Sequence, residues 1–445
     1  MRESVRRVYL TAYLARQLRG QARFAFKAGL EVQRAQRRRL GQIIVHAYET
    51  VPYYRDTMRR LGLRPKDFQT SADLARLPII EREALQRDPE YFVSRSQPIE
   101  RYLRIRTGGS AGAPRQIFYD ATSVIENGAY AERHRSIVRK LSGRHVRCRE
   151  AVIESPFGTT RALHEYLARC VSIPPSLVTP RLYLSLFDPP DRNAALLNEF
   201  RPDVIDGYGS YLELLFPYIH STGKAFDWPR VIVYGSDAMS SAARRLIAKS
   251  MKLPVVSAYG AVEALHIGFE CDQGLGYHLN VDLIPLRIVG SNGDEKPPGE
   301  TGEVVVSNLV NRATVLLNYR LGDVAYVQPL RCPCGRSLPL LSFIEGRADD
   351  WIQTSSGETI HPQAVRTLFT DEDDIYQYQV RQVEPGHFEV DVVVKHGIDR
   401  EQMRDRLAHK FVCRLGSRTV VRVSFVDAVQ RTQGGKVRVV SRIAS

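Results

Sequence analysis

The stretch RTGGSAGAPRQ, from Arg106 to Gln116, places small residues at almost every position of a loop. Glycine lets the backbone turn into positive φ and lets a ligand approach without a Cβ in the way. Successive N–H groups in such a turn form a nest for anions, to which Ser and Thr hydroxyls add donors. The loop is therefore a candidate phosphate cradle, and a plain surface loop is the alternative. It is neither a Walker A loop nor a dinucleotide fingerprint, because no Gly-Lys-Ser/Thr follows and no clean GxGxxG opens a helix.

Length and composition indicate a soluble enzyme of more than one domain. The chain has 445 residues, which is too long for one compact core and predicts two or three domains. It is 43% hydrophobic and 25% charged, and six cysteines in so long a chain do not form a disulfide scaffold. No apolar run approaches the roughly 18 residues of a membrane span. Arginines interrupt the apolar part of the N-terminus, so it is a poor secretory signal, and we expect a cytoplasmic location.

Positive charge is concentrated at the N-terminus. The formal net charge is +14, and the first fifty residues carry eleven Lys and Arg against three Glu, a net charge of +8. Apolar residues are interleaved with these charges in a pattern that predicts a helix. One alternative is a solvated helical face that covers the next domain, and another is peripheral contact with an anionic membrane at the inner face of the cell membrane. Contact with nucleic acid is a third alternative, and we expect no such partner.

The coarse secondary structure predicts an α/β fold. Residues 1–100 are largely helical in pattern, with a helix over 38–51, a loop over 52–70 and a short helix capped by Ser71. From about residue 100 to 345, apolar β-rich runs alternate with helical patterns, which predicts layers with parallel strands. The predicted strands are AVIES (151–155), VIDGYG (204–209), RVIVYGS (230–236) and LPVVSAYG (253–260).

The C-terminal residues have a different organisation. Two alternating strands flank a turn at 384–387, and a helix over 399–415 and a strand over 419–427 follow. We therefore predict two domains, 1–345 and 346–445. The first is a large domain of layered α/β sheets, and the second is a small, mobile α+β domain.

Four further motifs follow the glycine loop in order. They are SAYGAVE (257–263), YRLGDVA (319–325), GRADDWI (346–352) and RTQGGKVRVV (431–440). Together the five motifs resemble the adenylate-forming superfamily, which includes acyl-CoA synthetases, peptide-synthetase adenylation domains and luciferases. The segments LGQIIVHAYETVPYYRD, DLARLPIIEREAL, GLGYHLN and CPCGR resemble the branch that contains phenylacetate–CoA ligase and the capsule-biosynthesis protein CapK.

This resemblance implies a reaction in two halves. A carboxylate attacks the α-phosphate of ATP to give an acyl-adenylate and pyrophosphate, and a thiol or another nucleophile then takes the acyl group. The first half brings two anions together, so catalysis rests on positioning and on charge neutralisation. Implied cofactors and substrates are ATP, Mg²⁺, a carboxylic acid and CoA.

The motifs carry the implied nucleotide site. The phosphate loop comprises Thr107, Gly108, Gly109, Ser110, Ala111 and Gly112. Arg115 stands where the family usually has lysine, and Gly108 stands where it usually has serine. Glu263 would hold Mg²⁺, Asp323 would accept both ribose hydroxyls, and Lys436 would reach the α-phosphate. Val262 replaces the family threonine next to Glu263. Further nucleotide contacts are implied for Ser236, Asp237, Ala258, Tyr259, Gly260 and Arg347.

The hinge, the acyl pocket and a metal complete the implied sites. Asp349, or its neighbour Asp350, lies where the family has its hinge. The pocket walls would include Phe157, Tyr208, Tyr234 and Gly235, and the aromatic residues among them, like Tyr211, could equally be core residues. Cys271, His278, Cys332 and Cys334 form a Cys₃His set suited to structural Zn²⁺, with reduced thiols in a loop as the alternative.

We therefore interpret the chain as an acid–thiol ligase that makes a CoA thioester. An adenylation enzyme that loads a carrier-protein phosphopantetheine arm or an amine, in secondary metabolism or polysaccharide assembly, is the first alternative. A degenerate nucleotide-binding or membrane-associated scaffold is the second, and Gly108 and Val262 are the departures that favour it. The branch also suggests a homodimer.

Overall fold

The computed structural model describes residues 3–106, 115–144, 148–156, 158–223, 226–344, 346–347, 351–360 and 362–442. Within these ranges the α-helices are α1 (Glu3–Leu18), α2 (Gln21–Phe24), α3 (Gly29–Thr50), α4 (Pro52–Arg60), α5 (Arg82–Arg87), α6 (Ala121–Tyr130), α7 (Glu132–Ser142), α8 (Thr159–Cys170), α9 (Pro190–Phe200), α10 (Gly209–Ser221), α11 (Ser241–Arg245), α12 (Gln363–Arg366) and α13 (Arg400–Leu415). A π-helical turn over Leu246–Ser250 continues α11.

The strands of the same ranges are β1 (Leu103–Arg106), β2 (Gln116–Tyr119), β3 (Glu150–Glu154), β4 (Arg181–Ser185), β5 (Val204–Tyr208), β6 (Val231–Gly235), β7 (Val255–Tyr259), β8 (Gly268–Glu270), β9 (Tyr277–Leu279), β10 (Leu286–Val289), β11 (Gly302–Val306), β12 (Tyr319–Ala325), β13 (Leu340–Leu341), β14 (Gly346–Arg347), β15 (Ile352–Gln353), β16 (Thr359–Ile360), β17 (Ile375–Glu384), β18 (His387–Val394), β19 (Val420–Phe425) and β20 (Val440–Arg442).

The main sheet has eight strands in the order β13-β9-β8-β7-β6-β5-β3-β4. Strands β4, β3, β5, β6 and β7 run parallel, as the alternation of apolar runs and helices predicted. Strands β8, β9 and β13 extend the sheet in antiparallel fashion. The α/β fold class is thus confirmed, with a mixed sheet in place of a purely parallel one.

Helices cover both faces of the parallel strands. On one face, Ile153, Ile205 and Ile232 pack against α9 and α10. On the other, Val204 and Val233 pack against α7. Burial on both faces explains why these strands are continuous apolar runs.

Residues 52–70 differ from their prediction as a loop. They contain α4, which begins at Pro52, a residue that fits the first turn of a helix because its missing N–H is not needed there. Tyr54 and Met58, four residues apart, point into the core and are fully buried. The next short helix is a 3₁₀-helix whose N-cap is Thr70, not Ser71, because Thr70 and Asp73 form a reciprocal capping box.

The C-terminal unit, residues 351–442, contains the four-stranded sheet β19-β18-β17-β20. Strands β17 and β18 form the predicted hairpin around Gly386, whose φ of 78° suits glycine. Helix α13 buries Met403, Leu407 and Phe411 against this sheet. The domain boundary near Gly346 stays a prediction.

The N-terminal helix α1 packs on the large unit through one face. Leu10 and Leu14 are buried against Ile125 and Ala129 of α6. A candidate span would need a long apolar helix, and the described residues form none.

Candidate active site

One cavity of about 1280 Å³ lies at the carboxyl ends of the parallel strands and reaches the C-terminal unit. Every predicted site residue that the structure describes, apart from the Cys/His set, lines it. These residues are Arg115, Tyr208, Tyr234, Gly235, Ser236, Asp237, Ala258, Tyr259, Gly260, Glu263, Asp323, Arg347 and Lys436. The predicted residues Thr107–Gly112, Phe157, Asp349 and Asp350 lie outside the described residues. Tyr211, by contrast, is a core residue buried among the helices on the sheet.

Asp323 is held in place at one end of the cavity. The Tyr259 hydroxyl donates a hydrogen bond to the Asp323 carboxylate at 2.9 Å. Arg347 lies directly opposite Asp323 in the β12–β14 pair. Burial raises the pKa of Asp323 above its usual range. The next residue, Gly260, has to be glycine, because a Cβ at this position would overlap the carbonyl oxygen of Leu265.

Glu263 and Arg115 form an ion pair inside the cavity. The Arg115 guanidinium lies 3.2 Å from the Glu263 carboxylate, whose side chain is only 5% exposed. The Tyr319 hydroxyl donates to the same carboxylate oxygen at 3.4 Å. The pair places one carboxylate and one guanidinium side by side, so the site can bind a cation and an anion next to each other.

Lys436 reaches the cavity from a tight turn of the C-terminal unit. Lys436 and Thr432 exchange two hydrogen bonds, from Thr432 N to the Lys436 carbonyl at 2.8 Å and from Lys436 N to the Thr432 hydroxyl at 3.2 Å. Gly435 has a φ of 84°, and a Cβ there would lie 2.8 Å from Leu186 of the large unit. The turn therefore requires glycine both for its backbone angle and for its close approach to the sheet.

Arg431 fastens this turn to the large unit. Its guanidinium donates to the Ser210 hydroxyl at 2.6 Å, to the Ser210 carbonyl at 2.9 Å and to the Gly435 carbonyl at 3.0 Å. Asp237 accepts hydrogen bonds from Ser210 and, at 3.3 Å, from the Val437 N–H. The sequence analysis quoted Arg431 as part of a motif but gave it no role.

A buried carboxyl lies where the two units meet. Glu213 of α10 accepts hydrogen bonds from the Ser240 N–H at 2.7 Å and from Gln377 of β17 at 2.8 Å. The Ser240 hydroxyl donates to the Tyr376 carbonyl at 2.8 Å. Burial raises the pKa of Glu213 to about 7. The contact between the units thus contains a group that titrates near neutral pH.

The cavity continues into a polar inner lobe between the parallel strands and helices α7 and α8. Charged and imidazole side chains line it, namely Glu132, His134, Arg135, Arg139, Glu150, Glu154, His164, Arg181 and Asp206. Arg181 pairs with Glu150 at 2.7 Å, and His164 bonds the Tyr183 hydroxyl at 3.0 Å. The sequence analysis missed this lobe, although an aspartate inside the apolar strand VIDGY was a signal for it.

The predicted Cys/His set is assembled away from the cavity. Ligand atoms of Cys271, His278, Cys332 and Cys334 all lie within 4.8 Å of one another. The Sγ atoms of Cys271 and Cys332 are 3.7 Å apart, and Cys334 Sγ is 3.3 Å from His278 Nε2. Two thiolates bound tetrahedrally to one zinc at about 2.3 Å would be about 3.8 Å apart, so the set fits this ion. Burial lowers the pKa of His278 to about 4, which keeps the imidazole in the neutral form that binds metals.

Comparisons with known proteins agree with this fold. Residues 352–442 match the family model of the CapK C-terminal domain. The phenylacetate–coenzyme A ligase of Thermus thermophilus is 25% identical over 91% of this chain and 94% of its own length. The CapK protein of Staphylococcus aureus is 20% identical over 87% of this chain and 84% of its own.

A solved 2-hydroxyisobutyryl-CoA ligase has the same fold. In its postadenylation state it overlays with a TM-score of 0.75 at 17% identity, covering 93% of this chain and 90% of its own. In its thioesterification state the TM-score is 0.60 at 18% identity, with 93% and 91% covered.

Fold and sequence similarity agree on one class, because the relatives and the solved structures that this chain resembles are adenylate-forming ligases. Within this class, the chain is similar to the phenylacetate–CoA ligases and to CapK, and its C-terminal unit matches the CapK C-terminal domain. The resemblance inferred from the five motifs is confirmed.

Proposed function

We propose that the protein is an ATP-dependent ligase that converts a carboxylic acid into an acyl-adenylate and then transfers the acyl group to the thiol of CoA. One observation carries the proposal: Lys436, Glu263 and Asp323 come from distant parts of the chain and line the same cavity. The similarity to a protein named as a phenylacetate–CoA ligase, over nearly the whole of both chains, supports the same reaction.

In the first half-reaction these residues would act on ATP by position and charge. Asp323, held by Tyr259, would accept hydrogen bonds from the ribose. Lys436 would bring its ammonium to the α-phosphate, where negative charge builds up as the acid attacks. Arg115 would separate from Glu263 and bind phosphate oxygens. Glu263 would then be a ligand for Mg²⁺, which supplies charge neutralisation on the phosphates.

The second half-reaction would require the C-terminal unit to move. The turn of Lys436 occupies one wall of the cavity, so we propose that it withdraws by rotation about Asp349 to admit the thiol. CoA is the acceptor we favour, because the relatives named as ligases use it. A carrier-protein arm or an amine would enter by the same route. A homodimer stays a prediction.

The Cys/His set would hold a structural zinc ion. Its four ligands leave no open position for substrate, as is usual for structural sites. His278 lies on β9, which pairs with β8, and β8 pairs with β7. Zinc would therefore stabilise strands β8 and β9. These strands support β7, which ends at the cavity residue Tyr259.

The outer face of α1 supports a peripheral contact with an anionic bilayer. Val5, Val8 and Tyr9 are 54%, 69% and 59% exposed. Arg7, on the opposite side of the helix, donates to the Val171 carbonyl and helps to hold α1 on the large unit, so the apolar outer face stays exposed. Apolar side chains among arginines suit such a surface. Co-sedimentation with phosphatidylserine vesicles should be lost in Val8→Glu, and unchanged sedimentation would contradict the contact.

Adenylation is tested by acid-dependent ATP–pyrophosphate exchange over aryl, fatty, hydroxy and amino acids. We expect exchange with one class of acid, and its loss in Lys436→Ala while ATP binding persists. ATP binding without exchange for any acid would favour the scaffold alternative, for which Gly108 and Val262 are the relevant departures.

A further inference from the structure

The inner lobe contains charged side chains whose hydrogen-bonding groups find no protein partner. Within the described residues, the side chains of Arg135 and Asp206 form no hydrogen bond and no close ion pair, although both line the cavity and their charges act on each other. The buried His134 Nε2 also has no partner there. Burying a polar group without a partner costs free energy, and burying a charge costs more. A fold that retains such groups in a cavity presents them to a ligand.

Their position places them at the far end of a bound acid. Asp206 is two residues before Tyr208, at the carboxyl end of β5. At about 3.3 Å per strand residue, Asp206 lies about 7 Å further into the sheet than Tyr208. Leu163 and Leu167 of α8 also line the cavity and provide an apolar wall. An acid activated beside Lys436 would therefore run past apolar side chains and end among polar ones.

The charge and protonation of the lobe's side chains determine which polar group of a substrate the lobe can bind. Glu150 is already paired with Arg181. Burial, reinforced by the carboxylates of Glu150 and Glu154, raises the pKa of Asp206 to about 8, so it is largely protonated at neutral pH. A protonated carboxyl and the Arg135 guanidinium both donate hydrogen bonds. The lobe therefore presents hydrogen-bond donors to a ligand, which favour oxygen acceptors and disfavour an ammonium group, itself only a donor.

We propose that the substrate is a carboxylic acid whose far end carries a hydroxyl or a second carboxylate, bound by Arg135 and Asp206. A phenyl ring or a plain alkyl chain would leave both groups buried and unpaired. Sites built to bond a substrate hydroxyl discriminate by about 10⁴ against the analogue that lacks it. The inference rests on the proposed function for the position of the activated carboxylate.

The test uses acids that differ only at the end. Hexanoate, its ω-hydroxy derivative, its ω-amino derivative and hexanedioate share one six-carbon chain. Phenylacetate is the fifth acid. Each is measured by ATP–pyrophosphate exchange and, independently of turnover, by calorimetric binding to the full-length protein. We expect the hydroxy acid or the diacid to exceed hexanoate, phenylacetate and the amino acid by at least about a hundred-fold.

A pair of variants on one helix separates recognition from general charge. Arg135→Met removes the unpartnered guanidinium, and Arg139→Met removes one that already pairs with Glu132. Arg135→Met should reduce the preference for the oxygen-bearing acid about ten- to a hundred-fold, the effect of one charged hydrogen bond, and should raise or maintain the thermal unfolding midpoint. Arg139→Met should leave the preference unchanged.

The outcomes distinguish the two proposals. Tighter binding of hexanoate, phenylacetate or the amino acid overturns the substrate class and leaves adenylation standing. An equal loss of preference in both variants also overturns it. Selective binding of the hydroxy acid or diacid that disappears in Arg135→Met, without any exchange, supports the polar lobe and overturns the ligase reaction instead.

Discussion

Arg431 connects the turn of Lys436 to the large unit, so we expect Arg431→Ala to slow adenylation selectively. The side chain donates three hydrogen bonds, two to Ser210 and one to Gly435. A hydrogen bond from a charged donor contributes ~1.5–3 kcal/mol, and bonds that share one donor are not additive, so the closed arrangement should lose about 2–4 kcal/mol. Because about 1.4 kcal/mol is a factor of ten, ATP–pyrophosphate exchange should fall roughly 30- to 700-fold.

The second half-reaction provides the contrast. Under the proposed mechanism, thioester formation from preformed acyl-adenylate would require the turn to leave the cavity, so we expect that Arg431→Ala does not slow it. Arg422→Ala, at an exposed position of β19, is the control and should affect neither rate. An equal loss in both half-reactions would mean that Arg431 supports folding rather than closure. Unchanged exchange would refute the clamp altogether.

Three further predictions concern the ribose contact, the pH response and the metal. Asp323→Asn should raise the KM for ATP about ten-fold or more, since a charged acceptor is lost, and steady-state kinetics at varied ATP would contradict this if KM stayed the same. Burial between the units raises the pKa of Glu213 to about 7, so this carboxyl takes up a proton when the units close. Closure is therefore favoured below pH 7, and this contribution is lost as the pH rises through 7. Glu213→Gln should flatten the pH profile of adenylation around neutrality, and an unaltered profile would exclude Glu213. Cys332→Ser should lower both the zinc content, measured by mass spectrometry, and the thermal unfolding midpoint. If wild-type protein stripped of zinc has the same midpoint as untreated protein, the cysteines are reduced thiols without a structural metal.

Much of the fold could be predicted because local pattern and burial agree in the centre of the sheet. Strands β3, β5, β6 and β7 are apolar runs between helices, and such runs are what a sheet covered on both faces requires. The helix at Pro52 was missed because proline and paired tyrosines look like a turn, and only the burial of Tyr54 by distant residues makes them helical. Local signals for a helix were present, in proline at the first helical position and in the i, i+4 spacing of Tyr54 and Met58, but only long-range packing decides between helix and turn.

The candidate site divides in the same way. Residues that belong to contiguous motifs, such as Glu263 and Lys436, were predicted and line the cavity. The partners that position them were not, because Arg431 meets Ser210 only after more than two hundred intervening residues fold. The irregular spacing of the Cys/His set has the same origin, since the β9–β13 pairing brings His278 beside Leu340 and hence near the two loop cysteines.

The ion pair of Arg115 with Glu263 has a consequence for how ligands enter. A metal ion arriving alone would have to take Glu263 from its partner and leave a guanidinium uncompensated in a nearly buried place, and a phosphate arriving alone would do the reverse. A metal–phosphate complex replaces the Arg115–Glu263 pair by two ion pairs, metal with Glu263 and phosphate with Arg115, so neither side chain is left with an uncompensated charge. Metal and nucleotide should therefore be thermodynamically linked, each strengthening the binding of the other by the same factor. Such a site should bind the metal–nucleotide complex tightly and bind either component alone only weakly.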